Sequence, residues 1–106
     1  MRRVIVIATV LAVAALSGCA WVKPTAGGEK VREETAANVG SCQEVGSAYG
    51  KTRTSVGGLP RNQDVIRDEQ VTLARNQAAR IGGDTIVQDG APTADGTLNF
   101  KVYRCR

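Results

Sequence analysis

Few side chains of this sequence could perform covalent or proton-transfer chemistry. Histidine is absent, which removes the Ser-His and Cys-His nucleophiles and the commonest zinc ligand. Ser47 and Lys51 are the nearest approach to a Ser-Lys pair, and Asp64 and Asp68 the nearest to a carboxylate pair, but solvated surface residues explain both sets better. The glycine pairs form neither a dinucleotide-binding nor a P-loop pattern. We therefore expect no enzymatic activity, no cofactor and no metal.

Cysteine is the remaining reactive residue type, and Cys19 follows a distinctive N-terminus. Two arginines precede an almost wholly apolar run at residues 4–16, which is the pattern of an export signal. The run is too short for a transmembrane helix, which needs about 20 apolar residues. We therefore predict that residues 1–18 are a signal peptide and not part of the fold.

The tetrad Leu16-Ser17-Gly18-Cys19 resembles the lipobox of bacterial lipoproteins. The resemblance implies cleavage before Cys19 and lipid on its thiol, with acyl chains that hold the protein persistently on a membrane. A chance cysteine after an ordinary cleavage site is the alternative. Because residue 20 is Ala and not Asp, the resemblance also implies the periplasmic face of the outer membrane, or the outer face of the membrane in a cell that has only one.

Cys42 and Cys105 remain once Cys19 is lipidated. The exported compartment is oxidising, so we predict a disulfide between them. Closing a loop of 63 positions stabilises by about 4 kcal/mol in the chain-entropy model, which matters for a domain with so small a core. A pair of reactive thiols is the alternative, although neither cysteine has a histidine or a CxxC neighbour to lower its pKa.

The charge of the sequence argues against a nucleic-acid partner. The whole chain has 14 basic and 10 acidic residues, and two of the basic ones lie in the predicted signal peptide. The mature chain would therefore carry a net charge of only +2, with both signs mixed. A nucleic-acid surface requires clustered Lys and Arg.

Two regions follow the signal peptide. Residues 19–29 include a proline and a glycine pair without periodicity, which predicts a flexible tether that starts at the lipidated cysteine. Residues 30–106 are predicted to form a small α+β domain of order β-β-α-β-β, with one helix packed on one sheet and one disulfide. The strands are expected at 30–35, 42–54, 84–88 and 98–105, and the helix from 62 or 64 to 81.

The predicted helix has one apolar face and one charged face. An Asn or Asp can cap its start and Gly82-Gly83 ends it. The apolar arc also contains two glutamines; its members are Ile66, Gln70, Leu73, Ala74, Gln77, Ala78 and Ile81. On the second strand, Gly46 and Gly50 share one face, which predicts a bulge or a helix that crosses closely over them.

Four arginines are the candidate partner contacts. A glycine pair and a proline predict a mobile loop at residues 53–62, with Arg53 and Arg61 at its edges. Arg67 and Arg75 lie on the charged side of the helix. An ordinary solvated face is the plain alternative for the helix charges.

Three runs of the sequence resemble a known family. They are LARNQAARIGGDTIV at residues 73–87, GSCQ at 40–43 and VYRC at 102–105, and together they resemble the YjeI-type envelope lipoproteins, domain-of-unknown-function family 4156. More distantly, the alanine-rich helix and the strand that ends in cysteine are similar to RcsF, an outer-membrane lipoprotein that reports envelope stress. RcsF has two disulfides and this chain can form only one, so that analogy implies fold and not function.

The family carries no known activity, so the function is predicted from the anchor and the missing catalytic groups. We expect a non-catalytic envelope lipoprotein that binds or senses a protein or glycan partner at the membrane surface. The alternative is a structural component of the envelope that acts by self-association.

Overall fold

The domain is one helix packed on a four-stranded sheet, with a small hairpin beside it. The computed structural model describes residues 22–106, so the predicted signal peptide and Cys19 lie outside the described residues. The elements are β1 (Arg32–Glu34), β2 (Gln43–Lys51), β3 (Ser55–Val56), β4 (Leu59–Pro60), α1 (Gln63–Arg80), β5 (Thr85–Gln88) and β6 (Thr97–Arg104), with 3-10 turns at Gly28–Lys30 and Ala36–Asn38. The predicted α+β class is confirmed. The main sheet and α1 follow the expected β-β-α-β-β order, to which the β3-β4 hairpin is an addition.

The main sheet has the strand order β1-β5-β6-β2. β1 pairs parallel with β5, and the other pairs are antiparallel. Because β1 and β2 lie at opposite edges, residues 35–42 must cross the sheet. Val39 in this connection is buried, as are Thr85 and Val87, which alternate with the core residue Ile86 and therefore face away from α1. The connection thus covers part of the second face of the sheet.

The disulfide joins the start of β2 to the end of β6. Antiparallel pairing places Gln43 opposite Arg104, which brings the flanking cysteines together. Cys42 and Cys105 are bonded, with a Cα–Cα distance of 4.5 Å. The predicted pairing is therefore confirmed.

The core lies between α1 and one face of the sheet. Alternate residues of β6 point toward the helix, as the sequence predicts, and Leu98, Phe100 and Val102 are fully buried. They pack with Ile86 of β5 and with small residues of the helix and β2, which include Ala48, Ala74 and Ala78. Alanines on the facing elements allow the helix to approach the sheet closely.

The closest approach occurs at Gly50 of β2. A Cβ atom on Gly50 would lie 2.0 Å from the backbone oxygen of Gln70, and one on Gly46 would lie 3.0 Å from Ile81 Cδ1. A register shift between Glu44 and Gly46 also marks a bulge in β2. Both features that the two glycines predict, a bulge and a helix crossing, are therefore present.

The ends of α1 are the ones that the sequence predicts. The Asn62 side chain caps the first turn by accepting from the N–H of Asp64 at 2.8 Å. At the other end Gly82 N–H donates to Ala79 O and Gly83 N–H to Ala78 O, the bonding pattern of a Schellman motif. Among the described residues, no helix is both long and apolar enough to span a membrane.

Residues 55–60 form a hairpin and not the irregular loop expected at 53–62. Gly57 and Gly58 make its two-residue turn with φ values of 59° and 80°, which suit the twist of paired strands. The chain on either side is also fixed, because Arg61 N–H donates to Thr54 O at 2.9 Å.

The described part of the predicted tether is docked on α1. Thr25 N–H donates to Asn76 Oδ1 at 2.8 Å, and Asn76 Nδ2 donates to Lys23 O at 3.0 Å. Arg75 donates to the carbonyls of Gly28 and Glu29. Backbone groups from Lys23 onward thus have hydrogen-bond partners on the helix, which the tether predicted at residues 19–29 did not include.

The close approach at Gly50 gives the first prediction. Gly50→Ala should destabilise the fold by about 3 kcal/mol, since its Cβ would overlap helix backbone and not a movable side chain. Gly40→Ala is the control, since a Cβ there meets nothing within 4 Å, and it should change stability by less than about 1 kcal/mol. Urea unfolding of both variants measures the difference. Equal stabilities would show that the helix can move away from β2.

Candidate binding cleft

A cleft opens between the first turns of α1 and the loop at residues 89–96, which joins β5 to β6. Its volume is about 340 Å³, within the lower range of small-ligand pockets. Thr54 contributes from the segment before the β3-β4 hairpin. The lining residues are Thr54, Gln63, Asp64, Ile66, Arg67, Gln70, Gln88, Pro92, Thr93, Gly96 and Leu98.

The floor of the cleft is buried and its rim is polar. Ile66, Gln70 and Leu98 are buried, and Gln70 Nε2 already donates to Gly96 O at 3.0 Å. The rim consists of exposed hydroxyl, amide and carboxylate groups. None of the lining side chains is aromatic. An apolar floor with a few polar groups around it suits a partner that offers both apolar and hydrogen-bonding groups.

Arg67 of α1 lies on the rim, and side chains from β1 and β5 hold its guanidinium. Its guanidinium contacts the Glu33 carboxylate at 2.6 and 3.1 Å and donates to Gln88 Oε1 at 3.1 Å. The hydrogen bonds that Arg67 donates to Glu33 raise the pKa of Arg67, against the opposing effect of partial burial. Because the pair is partly exposed, its main effect is to orient Arg67 rather than to stabilise the fold.

A more buried ion pair lies behind the wall of the cleft. The Arg61 and Glu69 side chains are 12% and 10% exposed, and the guanidinium donates to both carboxylate oxygens at 2.6 and 2.9 Å. The Thr52 hydroxyl also donates to Glu69, and Arg61 donates to Arg53 O at 3.0 Å. This network ties residues 52–54 to α1 and so positions Thr54 in the cleft wall.

The same contacts determine the titration of Glu69. The hydrogen bonds from Arg61 lower the pKa of the Glu69 carboxyl, partial burial opposes them, and the Thr52 hydroxyl lowers it further, so that the pKa lies below its usual value. The charged form of Glu69 is therefore favoured by the fold.

A second carboxylate, Asp84, clamps the end of the chain beside the disulfide. Its oxygens accept from the backbone N–H groups of Cys105 and Arg106 and from the Thr85 hydroxyl, each at 2.9 Å. Partial burial raises the pKa of Asp84, but these hydrogen bonds outweigh it and the pKa is lowered.

The four candidate arginines do not form one patch. Arg67 lines the cleft, Arg61 is partly buried behind its wall, and Arg53 is exposed next to Arg61. Arg75 lies in the C-terminal half of α1, where it binds residues 28–29. Their part in binding a partner remains a prediction.

The residues first considered for catalysis are not assembled into a site. Ser47 and Lys51 are four residues apart on the extended strand β2, about 13 Å along it, and Lys51 Nζ lies 3.6 Å from Asp95. Asp64 and Asp68 are exposed. Within residues 22–106, no group of three or more His, Cys, Asp or Glu side chains is placed to hold a metal ion.

The sequence predicts a turn-rich loop between the last two strands, but sequence reasoning missed that this loop, at 89–96, forms one side of the cleft, and it missed the burial of Glu69. The loop showed only turn-forming residues, and its approach to α1 depends on tertiary packing. Glu69 sits beside Asp68 in a charged stretch, and its partner Arg61 precedes the helix. The glutamine within the apolar arc, Gln70, was the available signal, since a buried amide must find a partner.

Comparison with known families identifies a match. The family model described as "Domain of unknown function (DUF4156)" matches residues 22–105, which confirms the predicted family; the YjeI-type and RcsF analogies remain untested. The matched range begins within the predicted tether, at the segment that the structure shows docked on α1. No curated protein and no solved structure matches the chain significantly.

The ion pair behind the cleft gives a pH prediction. Because the folded-state pKa of Glu69 is lowered, its contribution is complete above the unfolded value of about 4.3 and is lost as the pH falls through the folded value. Glu69→Gln should therefore lower stability at pH 7, by about 2 kcal/mol, and should flatten the loss of stability below about pH 5.

Urea unfolding from pH 7 to pH 2.5 measures both effects. Glu44→Gln is the matched control, because Glu44 is exposed and should leave the profile unchanged. If the two variants gave the same profile as the unmodified protein, the Arg61–Glu69 pair would have no role in holding residues 52–54.

Proposed function

The chain belongs to the DUF4156 family of domains of unknown function, and we propose that it is a lipid-anchored, non-catalytic binding module of the bacterial cell envelope. In this proposal Cys19 carries the lipid, and the cleft between α1 and the loop at 89–96 binds a segment of a protein partner. The most fitting location is the periplasmic face of the outer membrane.

The observation that carries the proposal is that three of the five large exposed apolar side chains of residues 22–106 lie on segments adjoining the cleft lining, namely the β3-β4 hairpin after Thr54 and the first turn of α1. Leu59 in the hairpin is 72% exposed, and Val56 and Val65 are each 45% exposed. Exposed apolar residues next to a cleft are typical of protein-binding surfaces. They favour a protein over a glycan, because a sugar surface gives them little apolar area to bury.

The docked N-terminal segment supports an anchor that keeps the domain at the membrane. Lys23 is fixed on Asn76, so only four residue steps separate the fixed chain from Cys19. At about 3.5 Å per residue, four steps span at most about 14 Å. A lipid on Cys19 would therefore hold the domain against its own membrane and leave partners to come to it.

Self-association is the second candidate, and the exposed edge of β2 is the feature that favours it. β2 is a nine-residue edge strand, and open edges can pair with another chain. The edge is partly blocked, because Tyr49 N–H donates to Gln77 Oε1 at 2.9 Å. We therefore rank this structural role below the binding role.

Photo-crosslinking from two positions in intact cells distinguishes partner binding from self-association. A photo-crosslinking residue at Thr93, on the rim of the cleft, should capture one protein partner, whereas the same residue at Ser47, on the edge strand, should not. Self-crosslinks from Ser47 with none from Thr93 would favour self-association. Capture of glycan alone from Thr93 would contradict a protein partner.

A surface substitution tests whether the capture depends on this end of the molecule. Leu59→Ser should reduce capture from Thr93 by about tenfold, as expected for an exposed anchor residue of an interface. Tyr49→Ser is the control, since Tyr49 is also exposed but lies on β2. Equal capture in both variants would remove the hairpin from the binding surface.

The anchor is tested separately by metabolic labelling with palmitate. The unmodified chain should incorporate the label and fractionate with membranes, and Cys19→Ser should do neither. Incorporation that persists in the Cys19→Ser variant would show that the lipid is elsewhere.

A further inference from the structure

The charges of the described residues are separated between the two ends of the domain. One end, here called the basic end, consists of residues 22–32, 42–44, 75–84 and 102–106 and contains seven basic and three acidic residues. The remaining described residues contain five basic and seven acidic residues. The small net charge of the chain therefore hides a positive end and a negative end.

Hydrogen bonds assemble the basic end into one surface. Arg106 donates to Lys30 O at 3.2 Å, and Arg104 donates to Gly82 O at 3.1 Å. Arg32 N–H donates to Asp84 O at 3.0 Å. These bonds link β1, the end of β6 and the turn after α1, so basic side chains from distant parts of the sequence share one side of the molecule.

The three acidic groups at this end offset only part of its charge, because seven basic groups leave a net charge of +4. The Asp84 carboxylate is bonded to two backbone N–H groups and faces Arg106. By contrast, Lys30, Arg32 and Arg80 are exposed, and no side-chain partner of theirs is found among residues 22–106. Their charges are available to an external anion.

The basic end is also the end at which the N-terminal segment is held. Residues 23–29 lie on the C-terminal half of α1, beside Asn76 and Ala79. Any lipid on Cys19 is therefore tethered by a few residues to this side of the domain. Anionic headgroups attract basic side chains only within about a Debye length of the surface, roughly 8 Å, and a short tether keeps these side chains within reach.

We propose that the basic end is a membrane-binding surface that contacts the phosphate groups of anionic phospholipids in the membrane that holds the chain. This inference rests on the proposed lipid anchor. It gives the domain a fixed orientation, because the cleft and the Leu59 hairpin lie at the opposite end and face away from the membrane. Anchor and surface together present the cleft to partners in the aqueous compartment.

Hydrogen exchange with mass spectrometry tests the orientation on the full lipidated protein. The protein is placed in vesicles of phosphatidylcholine alone or of phosphatidylcholine with 30% phosphatidylglycerol. Peptides that cover residues 28–32, 80–84 and 102–106 should exchange at least threefold more slowly on the anionic vesicles, and 0.5 M NaCl should remove the difference. Peptides that cover residues 53–67 and 89–96 should exchange equally on both.

Two charge variants provide the matched comparison. The first variant combines Lys30→Gln, Arg32→Gln and Arg80→Gln. It should abolish the slower exchange on anionic vesicles. The control combines Lys51→Gln, Arg53→Gln and Lys101→Gln, which removes the same amount of charge outside the basic end. The slower exchange on anionic vesicles should persist in this control. Equal exchange on both vesicle types, or slower exchange at residues 53–67 instead, would overturn the proposed surface.

The anchor is read independently in the same samples, from the mass of the N-terminal peptide. A peptide without lipid would contradict the proposed function and not the surface. In that case flotation replaces exchange as the measurement, and more protein must float with the anionic vesicles than with the neutral ones for the proposal to stand.

Discussion

The position of α1 is fixed by its contact with β2 at Gly50, where the Gln70 carbonyl occupies the space that a side chain would need. This contact holds the helix close to the sheet. Small residues on the facing surfaces, such as Ala48, Ala74 and Ala78, fill the space that remains. A helix held this close presents its flanking side chains to the neighbouring segments at hydrogen-bond distance.

Three amide side chains of α1 use that proximity. Gln70 donates to Gly96 in the loop at 89–96, Gln77 accepts from the edge of β2, and Asn76 binds the N-terminal segment. Each amide joins the helix to a different part of the chain by way of backbone groups. No buried side-chain nitrogen or oxygen in residues 22–106 lacks a partner, so this polar packing avoids the cost of unpaired groups. The helix thus organises the cleft at one end and the docked segment at the other.

Much of the fold follows from local sequence signals, and the rest depends on contacts between distant residues. The capping residues of α1, the alternating apolar residues of β6 and the two glycines of β2 can each be recognised from the sequence around them. The disulfide is predicted because two cysteines remain once Cys19 is assigned to the lipid. The docking of residues 23–29 could not be read in this way, because it uses backbone groups of an aperiodic segment and an asparagine 51 positions away. Likewise, the residues around Glu69 in the sequence do not indicate that its side chain is buried against Arg61.

The central claim is that the N-terminal segment is part of the folded domain, since the proposed lipid anchor would then hold the domain by a short tether and by one defined end. The most direct test is the backbone ¹⁵N heteronuclear NOE of residues 23–30, apart from Pro24, which has no N–H. Values equal to those of α1 are predicted, with a fall for residues 23–27 in an Asn76→Ala variant. Values typical of a free chain in the unmodified protein would contradict the account, because the domain could then take any orientation at the end of a longer tether.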